Sequence, residues 1–206
     1  MKLYSFPGSC ALATNIALEW IGAPYSVELI RKEDLGKPEL LKLNSNHKVP
    51  ILDLDGWILY ENAAILNYLA DIFPEAKLGG DGTPKSRAEV NRWLAVINSD
   101  MHPAYTPLFG ATEYLGDKAM IEKTKDNARK VLRSYFERLD KQLQGRDWIA
   151  GERSIADPYL FVLLLWSHIV NVDLTGLDNL KQFERRMRAD AGVKKALHAQ
   201  RLDKAA

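Results

Sequence analysis

The segment from Tyr159 to Val170 reads Tyr-Leu-Phe-Val-Leu-Leu-Leu-Trp-Ser-His-Ile-Val and is almost wholly apolar. A helix that is apolar all round has to be enclosed on every side. The run is shorter than the ~18 residues of a membrane span, so it predicts a helix through the centre of a helical domain. Its start is also marked. In Gly151-Glu-Arg-Ser-Ile-Ala-Asp157, Ser154 is placed to accept from the N–H at 157, and the Asp157 carboxylate to answer the N–H of Ser154. Asp157 is therefore read as a folding device rather than a catalyst.

Other helices have to surround that one, and the sequence supplies them. Val90, Trp93/Leu94, Ile97 and Met101 form one stripe at helical spacing; Ala128, Val131/Leu132, Tyr135/Phe136, Leu139 and Leu143 form another. Both are core faces of bundle helices. The first ~72 residues have a different texture, mixing strand and helix. Leu3 to Phe6 reads as a strand, and Ser9 as the cap of a helix with Leu12, Ile16 and Trp20 beside Ala13, Ala17 and Ile21. Gly22-Ala23-Pro24 stops that helix, and Tyr25 to Ile30 alternates as a strand. A charged, loosely helical stretch from Arg31 to Leu43 follows, with Pro38 suited to a first turn. Val49 to Leu54 and Trp57 to Tyr60 form a hairpin about Asp55-Gly56. A helix from Ala63 to Ile72, with Ile65, Leu66, Leu69 and Ile72 on one face, closes the unit. Glycine and proline gather between Phe73 and Pro84, as in a linker. The expected division is an α/β unit over residues 1–75, a linker over 76–84 and an all-helical domain over 85–206.

Bulk properties narrow the function. The 206 residues carry a net charge of +1, so no strongly acidic or basic partner is implied. The segment from Asp178 to Ala206 has eight Lys/Arg, Lys204 among them, against four Asp/Glu, a net +4. Without interleaved aromatics it reads as a solvated helix face, not a nucleic-acid surface. No metal-binding or nucleotide-binding motif occurs. A single cysteine excludes an internal disulfide, and the start Met1-Lys2-Leu3-Tyr4 lacks the apolar core of a signal peptide. The expectation is a cytoplasmic protein with no membrane contact.

That one cysteine, Cys10, follows Pro7-Gly8-Ser9 at the mouth of the first helix. Unpaired N–H groups and a partial positive charge at a helix start favour a thiolate; a small buried hydrophobe is the plain alternative. Glu61-Asn62 opens the last helix of the first unit, where free N–H groups suit a carboxylate and Glu61 suits an ammonium. His102 stands near the end of the first bundle helix. A histidine titrates near neutral pH and can stabilise a thiolate or move a proton, although one near a helix end is also often structural.

Together these residues resemble the cytosolic glutathione transferases, most closely the bacterial beta-type branch. The resemblance spans the whole chain. It rests on Lys2-Leu3-Tyr4 through Cys10, Val49-Pro50, Glu61 to Ile65 with Tyr68 to Asp71, His102 with Thr106 to Phe109, and Gly151 with Ser154 to Asp157. It implies a thioredoxin-like N-terminal domain followed by an all-α bundle. It further implies a cis Val49–Pro50 bond whose Val49 backbone pairs with the cysteinyl part of glutathione. The γ-glutamyl end would sit on Glu61 and Asn62, and the glycyl carboxylate on Lys48 or Lys32, with Lys37 a further candidate. Cys10, Ser9 and His102 would lie at the glutathione sulfur, and Tyr105, Phe109, Tyr159 and Trp166 would line the electrophile pocket.

The resemblance implies a homodimeric detoxification enzyme that conjugates glutathione, a co-substrate rather than a prosthetic group, to small hydrophobic electrophiles. Two alternatives stand beside it. One is a thiol-transferase or peroxidase using Cys10 as a monothiol nucleophile; the other is a non-enzymatic carrier or interaction protein that keeps the fold. Departures from the family pattern are Ala11 for serine, Ala95 for an asparagine (Asn98 lies one turn later), and Pro103 for a basic residue.

Overall fold

The computed structural model describes residues 1–203, so Lys204 of the basic segment lies outside the described residues. The chain begins with β1 (Lys2–Ser5), α1 (Ala11–Ile21) and β2 (Ser26–Leu29). A 3₁₀ turn at Lys32–Gly36 and α2 (Pro38–Leu43) lead to β3 (Ile51–Leu54), β4 (Trp57–Tyr60) and α3 (Asn62–Ile72). The sheet order is β2-β1-β3-β4. β1 runs parallel to β2, Leu3 opposite Val27, and antiparallel to β3, Leu3 opposite Leu52. β3 and β4 join through Asp55 and Gly56, whose φ angles of 54° and 97° give the hairpin the twist its strands need. The Asp53 carboxylate accepts the Gly56 N–H at 2.7 Å.

The rest is helical. α4 (Pro84–Ala95) runs into a π-helical segment (Val96–Met101), a single turn α5 (His102–Ala104) and 3₁₀ turns at Thr106–Phe109 and Glu113–Leu115. α6 (Lys118–Gln142), α7 (Ala156–Ile169), α8 (Asp178–Ala189) and α9 (Ala191–Ala199) follow. Thr83 caps α4 by accepting the Ser86 N–H, and Asp117 caps α6 by accepting those of Ala119 and Met120. Pro103 explains the π segment. It has no N–H for the carbonyl four residues back, and its ring crowds that carbonyl, so the helix widens just before it.

α7 is the central helix the sequence predicts. Ala156 to Leu164 are all buried, as are Trp166 and Ser167. α1 sits between the two halves: Leu18 packs with Leu3, Leu52, Ile65 and Leu69 of the sheet side. Leu12, Ala13, Ile16 and Ala17 belong to the cluster that contains Leu160 and Leu163. Truncating a side chain such as Leu163, fully buried here, to alanine costs about 2–5 kcal/mol in cores of this kind.

Three local expectations are corrected. Ser9 does not cap α1; its hydroxyl donates to the Phe6 carbonyl at 2.8 Å, and Cys10 takes the cap position without a side-chain bond. On α3, Ile72 is 40% exposed and Ala70 takes its place in the core, because the helix faces the sheet and the bundle together. The cap before α7 is only half reciprocal. Asp157 accepts the Ser154 N–H at 2.7 Å and its hydroxyl at 3.0 Å, while that hydroxyl accepts from Ala156 N–H. Asp157 also accepts the Ile149 N–H at 3.0 Å. Burial raises its carboxyl to about 6 against those bonds.

Candidate active site

The turn from Phe6 to Cys10 is held by the Ser9 N–H and hydroxyl, both on the Phe6 carbonyl, and by the Gly8 carbonyl, which accepts the Trp166 indole N–H at 2.8 Å. The Cys10 thiol points at the Val49 carbonyl, 3.6 Å away. Contrary to the expectation of a helix-stabilised thiolate, packing around the sulfur raises its pKa to about 12. The helix-start N–H groups and the Lys48 charge oppose that rise, the Glu61 charge adds to it, and desolvation prevails.

Val49–Pro50 is cis, as the resemblance implies. Glu61 is exposed and adopts φ 73°, ψ 114°. That region penalises any residue with a Cβ, by about 1–3 kcal/mol. The Asn62 side chain is committed inward: its oxygen accepts from the Thr14 hydroxyl at 2.7 Å and its amide donates to the Cys10 carbonyl at 3.1 Å. Asn62 thus fastens the start of α3 to the start of α1. It leaves backbone N–H groups, not its own amide, to face outward at the helix end.

The opposite wall comes from the helical half. Tyr159, 1% exposed, sits with its hydroxyl 2.6 Å from His102 Nδ1 and donates to Asn98 Oδ1 at 3.1 Å. Trp166 and Tyr159 meet the His102 ring edge-on at 4.8 Å and 5.9 Å between centroids. Burial and then the Lys48 charge lower His102 to about 4, so the imidazole is neutral at neutral pH rather than titrating there as expected. Tyr105 is fully buried and bonded to the Leu163 carbonyl and the Ser167 hydroxyl. It lies under the wall, stacked on Phe109, which is 49% exposed. Lys48 is exposed and within electrostatic reach of both Cys10 and His102. Lys32 is exposed on its 3₁₀ turn, and Lys37 is paired with Asp34 at 2.9 Å. Among the described residues no group of three or more His, Cys, Asp or Glu is placed to hold a metal ion, and no helix is long and apolar enough to cross a membrane.

The glutathione S-transferase N-terminal domain profile matches residues 1–71, and the C-terminal domain profile matches residues 96–190. The chain belongs to the glutathione S-transferase family. Glutathione S-transferase GST-4.5 of Xanthomonas campestris pv. campestris is 48% identical over 204 residues, covering 98% of this chain and all of that one. The solved glutathione-S-transferase from Xylella fastidiosa superposes with a TM-score of 0.95 at 48% identity, covering 98% of each chain. The beta class enzyme of Sphingomonas chungbukensis gives 0.87 at 36% identity over 98% of this chain and 100% of its own. The bacterial beta-type resemblance and the α/β-then-helical architecture therefore hold.

In this transferase the structure brings Cys10, Val49, Lys48, Glu61, His102 and Tyr159 into one neighbourhood at the junction of the two halves. Reading the sequence missed the bonds of Asn98 to Tyr159 and of Trp166 to Gly8. A partial signal for the first existed, since Pro103 foretells a distorted helix that would displace Asn98. The second joins residues 158 apart and has no local signature.

Proposed function

We propose that the protein conjugates the glutathione thiolate to small apolar electrophiles. The observation that carries this reading is Glu61, an exposed acid held in a strained backbone at the mouth of α3. That conformation costs a residue with a Cβ, and it sets Glu61 where a ligand ammonium beside it and a carboxylate on the α3 N–H groups would be held. Val49 then meets the cysteinyl backbone, and Lys48, in reach of the sulfur site, takes the glycyl carboxylate in preference to Lys32. Ser9 contributes through its backbone in the turn, its hydroxyl being engaged with Phe6. Phe109 offers a flat apolar face to the electrophile, backed by the buried Tyr105, Tyr159 and Trp166.

The raised Cys10 thiol supports conjugation over disulfide exchange, since exchange needs a reactive protein thiolate. The same reading assigns residues 1–75 to glutathione, residues 85–206 to the electrophile, a homodimer as the working assembly, and the cytoplasm as its place. Titration calorimetry tests it. Wild type should bind glutathione in the micromolar to low-millimolar range and Glu61→Ala should not. Absence of binding to wild type at several millimolar would overturn the transferase reading and leave the carrier or interaction protein.

A further inference from the structure

A cavity of about 460 Å³ lies between the end of α7, the loop that follows it and α8. Small organic ligands occupy cavities of about 300–1,000 Å³. Leu164 and His168 bring α7 to this cavity from one face, a turn apart, whereas Trp166 stands about 200° round the helix from each. The floor is aliphatic, with Leu164 from α7, Leu174 and Leu177 from the loop, and Leu180 from the first turn of α8. Arginines of α6 hold the loop. Arg133 donates to the carbonyls of Asp173 and Thr175, each at 2.9 Å, so the backbone is fixed on both sides of Leu174. Arg129 donates to the Val170 carbonyl at 3.0 Å, and Asp140 accepts the Leu180 N–H at 3.0 Å. The walls therefore stand in place without a ligand.

The rim comes from α8, and its charges do not balance. Glu184 is engaged: its Oε1 accepts from Arg188 Nε at 3.0 Å and Nη2 at 2.7 Å, and both its oxygens lie 3.0 Å from His168 Nε2. Lys181 and Arg185, exposed on the same side of α8, have side chains with no hydrogen bond or ion pair among the described residues. Two uncompensated cations thus stand over a leucine floor, within the segment whose net +4 reads from the sequence as a solvated face.

We propose that this cavity binds an amphipathic carboxylate, a small molecule whose aliphatic body covers the leucine floor and whose single anionic head meets Lys181 and Arg185. The body gains by leaving water. The head finds two cations, while Glu184, which would repel it, is already neutralised by Arg188. Charge thus selects the head: a neutral alcohol lacks the attraction, and an ammonium is repelled. No bond is made or broken at this site, and it does not rest on the transferase reading.

The test is a titration of the full chain with decanoate, read by calorimetry and by NMR of leucine methyl groups. Decanoate should bind with a sub-millimolar Kd and shift the methyl signals of Leu174, Leu177 and Leu180, assigned through single substitutions such as Leu174→Ile. The double variant Lys181→Gln, Arg185→Gln should bind decanoate about tenfold more weakly or worse, with Tm unchanged because neither side chain is bonded. Decanol and decyltrimethylammonium should bind wild type at least about tenfold more weakly than decanoate. Shifts confined to leucines outside the cavity, or none at these three with several millimolar decanoate, would overturn the site. Decanol binding as tightly as decanoate, or a double variant with wild-type affinity, would overturn the anionic head.

Discussion

Glu61 combines a strained backbone with the ligand role proposed for it, and a pair of substitutions separates the two. Glu61→Ala keeps a Cβ, so φ 73°, ψ 114° stays as costly as in wild type. Glu61→Gly removes the Cβ and with it about 1–3 kcal/mol of strain, against about 0.5–1 kcal/mol for the greater freedom of an unfolded glycine. The Glu61 side chain is exposed and, among the described residues, makes no hydrogen bond or ion pair, so its removal costs little. The glycine variant should therefore be about 1 kcal/mol more stable than the alanine variant. For a chain of this size that is about 2–4 °C in Tm. Differential scanning calorimetry on wild type and both variants reads the stability, and titration calorimetry reads glutathione. Both variants should lose binding while only the glycine variant gains Tm. A glycine variant that melts below the alanine variant would refute the strain argument and with it the main support for the binding site at this helix mouth.

Cys10, raised to about 12, should be alkylated by iodoacetamide at pH 8 at least about 100-fold more slowly than free glutathione, since the thiolate is the reacting form. Alkylation at the free-thiol rate would restore the disulfide-exchange reading; in Cys10→Ala conjugation should survive, whereas disulfide exchange would not. Asp157 has a folded-state pKa of about 6 against an ordinary 3.8. Its contribution is therefore fully present below pH 4 and fades as the pH rises through 6, by roughly 3 kcal/mol. In urea melts from pH 4 to 7, that component should vanish in Asp157→Asn. A stability–pH curve identical to wild type would show that the buried carboxyl is not the titrating group. Trp166→Phe removes the bond to Gly8 but keeps an aromatic ring. It should cost about 1 kcal/mol of stability and raise the glutathione KM several-fold in steady-state assays; an unchanged KM would free the Cys10 turn from dependence on the bundle.

What the sequence made legible was local. The Asp55-Gly56 turn, Pro38 in the first turn of α2, Gly22 ending α1 and the apolar run of α7 each depend on a handful of neighbours, and each forms where the pattern places it. The sequence marked candidate site residues but not their states. His102 and Cys10 carry the pKa values of their surroundings, and those surroundings come from Lys48, Glu61 and the aromatic wall, not from adjacent residues. Tyr105 shows the same limit: the resemblance implies a pocket position for it, but the Leu163 carbonyl and Ser167 hydroxyl draw its phenol into the core. Ser9 had two partners open to it, the helix end ahead and the Phe6 carbonyl behind, and propensity alone does not choose between them.

The way the halves are joined explains why the site lies where such states are set. Trp166 reaches back to Gly8, Trp20 on α1 donates to Asp190 at 2.8 Å, Ile155 donates to the Leu78 carbonyl at 2.9 Å, and Gln200 donates to Asn15 at 3.3 Å. Every one of these bonds ties the first unit or its linker to a residue beyond 150. They form only when the bundle has packed against α1, and they bracket the Phe6–Cys10 turn on one side and the α1 helix on the other. A helix start left alone would have favoured a Cys10 thiolate and left His102 to titrate near neutrality. Docking the bundle desolvates both, which keeps the protein's own thiol protonated and His102 uncharged. The protonation of both groups is thus set by the packing of the two halves and not by the helix start that carries Cys10.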